Sequence, residues 1–151
     1  MFQITERILL TLWIGGMWSV GYIVAPTLFS MLEDRALAGA VAGQLFTIMS
    51  FVGLVAAAVL LSAQLYYAES DWHRNWRVWV LLLMLLLIVI GEFYLQPLMA
   101  ELKSGGLSQG SDNARQFGQL HGVASALFVI NSLLGLGLVV FGLRPSTAPA
   151  I

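Results

Sequence analysis

Cysteine is absent from this chain, so neither a disulfide framework nor a thiolate metal site can be built, and the sequence carries no mark of a redox compartment. Charge is scarce as well. Charged residues make up 10% of the 151 positions, against roughly a quarter in average soluble proteins. The formal net charge of -1 argues against a nucleic-acid partner. No nucleophile elbow, phosphate-binding glycine loop or second intramembrane carboxylate is present, and an enzyme ranks last among the function classes. No catalytic residue is assigned and no cofactor is predicted.

Apolar sequence fills the chain instead: 59% of residues are hydrophobic and the mean hydropathy is +0.86. The intervals Arg7 to Glu33, Arg35 to Glu69, Val78 to Ala100 and Gln116 to Leu143 hold no internal charge except Glu92. Each exceeds the ~20 residues that cross a bilayer as a helix. The spans are expected at about 8–29, 41–65, 78–100 and 117–142, giving an all-α, polytopic membrane four-helix bundle with both termini on one side. The tail 144–151, with Pro145 and Pro149, is expected to be disordered. The first apolar run is too long for a signal-peptide core and is expected to remain as a span.

Orientation follows the basic residues. Arg7, Arg74, Arg77 and Arg144 fall on one side, close to span ends; Arg35, Lys103 and Arg115 fall on the other, where Arg35 and Lys103 sit among Glu33, Asp34 and Glu101. Cytoplasmic termini in a bacterial inner membrane are the expectation. The stretch Tyr66 to Trp79 mixes aromatics with Arg as an interfacial anchor does, and Arg74 and Arg77 could also meet anionic lipid.

The chain also looks duplicated. The first span ends with Pro26-Thr27-Leu28 and leads into Gly43-Gln44-Leu45; the third ends with Pro97-Leu98-Met99 and leads into Gly118-Gln119-Leu120. Two similar hairpins of the same direction would be parallel repeats about an axis along the membrane normal. Each proline should free the carbonyl four residues earlier, on Tyr22 and Phe93. Gln44, Gln119 and His121 lie at a similar depth as candidate donors.

Glu92 is the residue that most invites a function, because a carboxyl group in hydrocarbon must be paired, protonated or wet. Helical spacing puts it on one face with Gln96, and puts His121 on one face with Ser125. An outward polar pocket lined by Tyr22, Gln44, Glu92, Gln96, His121 and Ser125, continued by Asn131, is the expectation. A plainer reading stands beside it. Gln44, Gln96, Ser125 and Asn131 would serve as interhelical hydrogen-bonding groups worth ~0.6–2 kcal/mol each, and Glu92 as a protonated packing residue. Gly15 with Ser19, Gly39 with Gly43, and Gly118 with Gly122 form small-xxx-small pairs suited to bundle packing, a homodimer or another membrane protein.

The runs WIGGMWSVGYIVAPTLF, AGAVAGQLF, QPLM and FGQLHGVASALFVIN together resemble a bacterial integral membrane family of unknown function (DUF4149) that is itself similar to eukaryotic transmembrane protein 205. The resemblance implies a four-helix membrane domain without an assigned activity, with Pro26, Gly43, Phe46, Pro97, His121, Ser125 and Asn131 as its family-like residues. It does not extend to Glu92. Two other four-helix families, of copper-resistance and haem-containing types, would need metal ligands, and here only His121 with Met99 or Met31 offers a weak copper set.

Overall fold

The structure, a computed structural model, describes residues 2–67, 73, 75–108 and 110–141. The tail 144–151 and Arg74 lie outside the described residues. Four helices are long and apolar enough to cross a membrane, Ile4–Met31, Arg35–Tyr66, Trp76–Ser104 and Asp112–Phe141, and no strand occurs among the described residues. The starts of the last three are built from polar side chains. Asp34 accepts from the N–H groups of Ala36 (2.8 Å) and Leu37 (3.1 Å), Asn75 accepts from that of Arg77 (3.1 Å), and Ser111 from that of Ala114 (3.2 Å). After Ser104, Gly106 turns the chain with a φ of +86°, a conformation that costs glycine little.

The prolines do not break their helices. Ser19–Val24 and Ile90–Leu95 are π-helical, and each segment ends two residues before its proline. The Ala25 N–H reaches back five residues to the Val20 carbonyl, and the Gln96 N–H to that of Gly91. The widened turn takes the carbonyl four residues back away from the proline ring. Among the described residues no side chain of Gln44, Gln119 or His121 bonds to these turns, contrary to expectation; Thr27 donates to the Ile23 carbonyl (2.7 Å) from within the helix instead.

Each helix packs on its sequence neighbours, and the first also packs on the fourth, closing the bundle. The core lies in the half that holds the helix starts Phe2 and Trp76, called here the Glu6 end. There Leu10, Trp13 and Met17 of the first helix meet Ala56, Ala57 and Leu60 of the second, Leu81, Met84 and Ile88 of the third, and Leu138 of the fourth. Toward the opposite, proline end Ala25–Met31 packs on the second helix and Gln96–Ser104 on the fourth, while Phe46 against Phe128 (5.4 Å between centroids) and Gln96 bonded to Thr47 (3.4 Å) join the two hairpins.

The duplication extends to the core. Shifting the first helix by the 71 positions from Pro26 to Pro97 superposes buried Leu10 on Leu81, Trp13 on Met84 and Met17 on Ile88. Shifting the second by the 75 positions from Gly43 to Gly118 superposes buried Ala56, Ala57 and Leu60 on buried Asn131, Ser132 and Gly135. Equivalent aromatics cross equivalent seams: Tyr22 packs on Phe128 of the fourth helix (5.7 Å between centroids), and Phe93 on Phe51 of the second (6.3 Å). Two similar helical hairpins thus face each other about a common axis.

Helices approach closely at glycines other than the expected pairs. A Cβ at Gly53 would stand 2.7 Å from Trp13 Nε1, and one at Gly21 or Gly135 would collide with Phe128 or Ile14. At Gly15, Gly43, Gly118 and Gly122 nothing lies within 4 Å, and at Gly39 only Phe29 does, at 3.7 Å. Gly15 and Ser19 bond to each other through the Ser19 hydroxyl and the Gly15 carbonyl (2.8 Å) and face outward. The small-residue pairs therefore leave backbone bare, whereas the bundle's tight crossings use Gly21, Gly53 and Gly135.

Candidate functional site

Glu92 occupies the π-helical segment of the third helix, half-buried. It shares the side that carries buried Ile88 and Leu95, while its neighbours Phe93 and Tyr94, 58% and 66% exposed, point to lipid. Its position in the repeat corresponds to Gly21, which receives the Phe128 ring; the residue corresponding to Phe128 is Gly53. Among the described residues the Glu92 carboxyl group has neither hydrogen-bond nor ion-pair partner. A π-turn widens a helix locally and is a recurrent feature of functional positions.

The other expected pocket residues divide between two seams. Gln96 donates to Thr47 Oγ1 (3.4 Å), linking the third helix to the second. Tyr22 donates to Ser132 (3.3 Å), and Asn131 donates to the Met17 sulfur (3.9 Å), both linking the first helix to the fourth. Ser125 turns back to the His121 carbonyl (2.8 Å), which satisfies its hydroxyl within its own helix. Gln44 and His121 are exposed. His121 stacks on Phe117 (6.0 Å), and Lys103 from the third helix lies over the same Phe117 ring (5.3 Å). Gln96, with Glu92 one turn before it, thus belongs to the seam between the third and second helices, whereas Tyr22 and Asn131 belong to the seam between the first and fourth.

For metal, among the described residues no three His, Asp or Glu side chains converge. Met99 is buried at 7% exposure while His121 is exposed. Of the weak copper set, Met99 thus lies inside the bundle and His121 outside it, while the alternative Met31 is exposed.

An ionic pair not anticipated from sequence stands at the opposite end. Arg77 Nη1 lies 3.6 Å from Glu6 Oε1, with Glu6 9% exposed, so Arg77 meets an acid inside the bundle rather than lipid alone. Asn75 donates to Gln64 (2.9 Å) beside it, and Glu6, Gln64, Arg77 and Leu138 line a cleft. The signal was available: Glu6 and Arg77 are repeat equivalents under the same shift that aligns the prolines. The pair joins the first and third helices, one from each hairpin, at the Glu6 end.

Contact with lipid follows from the four apolar helices, and the protein is a multi-pass membrane protein. No curated protein and no solved structure matches the chain. A family model described as "Domain of unknown function (DUF4149)" matches residues 8–108, which takes in Pro26, Gly43, Phe46, Glu92 and Pro97 but stops before the fourth helix with His121, Ser125 and Asn131. With the π-turned, proline-bearing first and third helices both inside that match, the chain belongs to the DUF4149 family.

Proposed function

We propose that this protein handles a proton, small ion or small ligand in the space between its two hairpins, with Glu92 as the group that takes up charge. One observation carries the reading: a carboxyl group near the middle of an apolar span faces inward, in a π-turn, without a protein partner among the described residues. Desolvating such a group without compensation costs several kcal/mol, on the order of an unpaired buried charge. Water, a cation or a bound proton offsets that cost, and in this reading water and exchangeable ions reach Glu92 from the proline end. Gln96, one turn away, orients the rim through Thr47. In this reading the protein sits in the bacterial inner membrane with its termini in the cytoplasm, and the proline end faces outward.

The test is flux in reconstituted vesicles carrying an entrapped pH-sensitive dye, comparing the wild type with Glu92→Gln after a pH step. Wild-type proton movement above that of protein-free vesicles, lost in Glu92→Gln at unchanged thermal stability, supports the reading. If Glu92→Gln alters only stability, the carboxyl group is a packing residue.

A second reading rests on a different observation. The bare backbone at Gly15, Gly43, Gly118 and Gly122 offers helix-packing surface that the bundle does not use. A homodimer or an accessory role beside another membrane protein would cover it. Gly118→Leu would then remove the association without unfolding the bundle, as measured by native mass spectrometry. For copper or haem no observation speaks.

A further inference from the structure

Two buried side-chain atoms lack a hydrogen-bond partner among the described residues: the indole Nε1 of Trp18, which only donates, and the amide oxygen of Asn131, which only accepts. Asn131 is 6% exposed. The register of the first and fourth helices places the two opposite each other. Gly135 meets Ile14 and Phe128 meets Gly21, so moving seven residues along one helix moves seven back along the other. Trp18 lies four residues beyond Ile14, and Asn131 four residues before Gly135. The neighbours confirm this level. Asn131 donates to Met17, the residue before Trp18, while Tyr22, whose ring contacts Trp18 edge-on at 6.3 Å, donates to Ser132, the residue after Asn131.

We propose that one water molecule is bound in this seam, accepting from Trp18 Nε1–H and donating to Asn131 Oδ1. Trp18 lies near the midpoint of the span Ile4–Met31, so the site is deep in the bilayer, where an orphaned donor or acceptor is most costly. A direct indole-to-amide bond is not made, although the two residues stand at the same level of adjoining helices. Water is the smallest group that both accepts and donates, and buried waters characteristically satisfy such leftover groups. The amide orientation supports this. Exchanging the Asn131 nitrogen and oxygen would turn the oxygen toward the Met17 sulfur and forfeit the bond that is present. The repeat provides an internal contrast: at the equivalent seam, Val89, Phe93, Ala56 and Ala57 stand in place of Trp18, Tyr22, Asn131 and Ser132, and offer nothing for a water to bind. The site is thus a polar pin specific to one of two otherwise similar seams.

Water-selective nuclear Overhauser spectroscopy on the full-length, 15N-labelled protein in micelles tests it, with the Trp18 indole signal identified by its loss in Trp18→Phe. The proposal expects a cross-peak from the Trp18 Nε1–H to water that persists in Tyr22→Phe and vanishes in Asn131→Leu. No cross-peak in the wild type, or one undiminished in Asn131→Leu, overturns it, as does loss in Tyr22→Phe, which would trace the signal to that hydroxyl. Thermal midpoints supply a check that does not depend on one variant folding perfectly. Trp18→Phe with Asn131→Leu should lower the midpoint by less than the sum of the two single variants, because either change already releases the water. Additive losses contradict a shared ligand, and coupling without a water cross-peak reveals a direct bond and refutes it.

Discussion

Replacing Gly53 by alanine tests the packing at the point where three helices meet. The added Cβ would stand 2.7 Å from Trp13 Nε1 and 2.9 Å from Ile88 Cδ1, well inside the ~3.5–4.0 Å of a comfortable contact. The Ile88 methyl can rotate away. The Trp13 indole, 1% exposed, has little room to retreat, so the first helix must shift or the ring leave its rotamer. Such overpacking costs about 1–3 kcal/mol. Alanine also returns about 1 kcal/mol of helix propensity. Gly43→Ala, in the same helix with nothing within 4 Å, supplies that gain without the clash. The propensity term cancels in the comparison. Gly53→Ala should therefore unfold about 1–3 kcal/mol more easily than Gly43→Ala in a reversible denaturation in mixed micelles. Equal stabilities, to within about 0.5 kcal/mol, would show that Trp13 and Ile88 do not close on Gly53 and would refute the packing scheme.

Three further outcomes are expected. Arg77→Gln leaves the Glu6 carboxylate in its cleft without its counter-ion and should cost about 1–3 kcal/mol, with the exchange Glu6→Arg plus Arg77→Glu recovering part of the loss; a double-mutant cycle in the same denaturation assay measures the coupling. Tyr22→Phe removes the 3.3 Å bond to Ser132, and a loss of about 0.5–1.5 kcal/mol on unfolding is expected, close to the average for an interhelical hydrogen bond in lipid. Pro97→Ala restores an N–H and relieves the reason for the π-turn at Ile90–Leu95; tightening that turn rotates Gln96 away from Thr47, so cysteines placed at those two positions should cross-link with proline at 97 and less efficiently with alanine.

Much of the architecture was legible because lipid imposes a strong rule: backbone groups must bond internally, and only long uncharged stretches can cross as helices. Charge spacing alone therefore marked the four helices, and the two prolines marked the duplication. The way the prolines are absorbed was not legible. A proline predicts a disturbed turn, but whether the helix kinks, borrows a donor or widens into a π-turn depends on packing against the neighbouring helix, as with Phe128 at Gly21. Small residues misled for a related reason. Spacing identified Gly118 with Gly122, yet close approach is decided by which large side chain stands opposite, and Phe128, Trp13 and Ile14 stand opposite Gly21, Gly53 and Gly135. Within the candidate site, Glu92 and Gln96 followed directly from charge and helical spacing. Tyr22 and Asn131 did not join them, because spacing along one helix says which residues share a face but not which seam that face enters.

The absence of native cysteine makes the central claim directly testable, since any single cysteine reacts without background. Cysteines placed in turn at positions 92, 93 and 94 should be probed in sealed membranes with a membrane-impermeant thiol reagent applied from each side. Glu92→Cys should react from the side of the turn Leu32–Asp34, while Phe93→Cys and Tyr94→Cys, on the lipid side of the same turn of helix, stay unreactive. If Glu92→Cys is as inert as its neighbours, the space between the hairpins is dry and the functional reading of Glu92 is wrong.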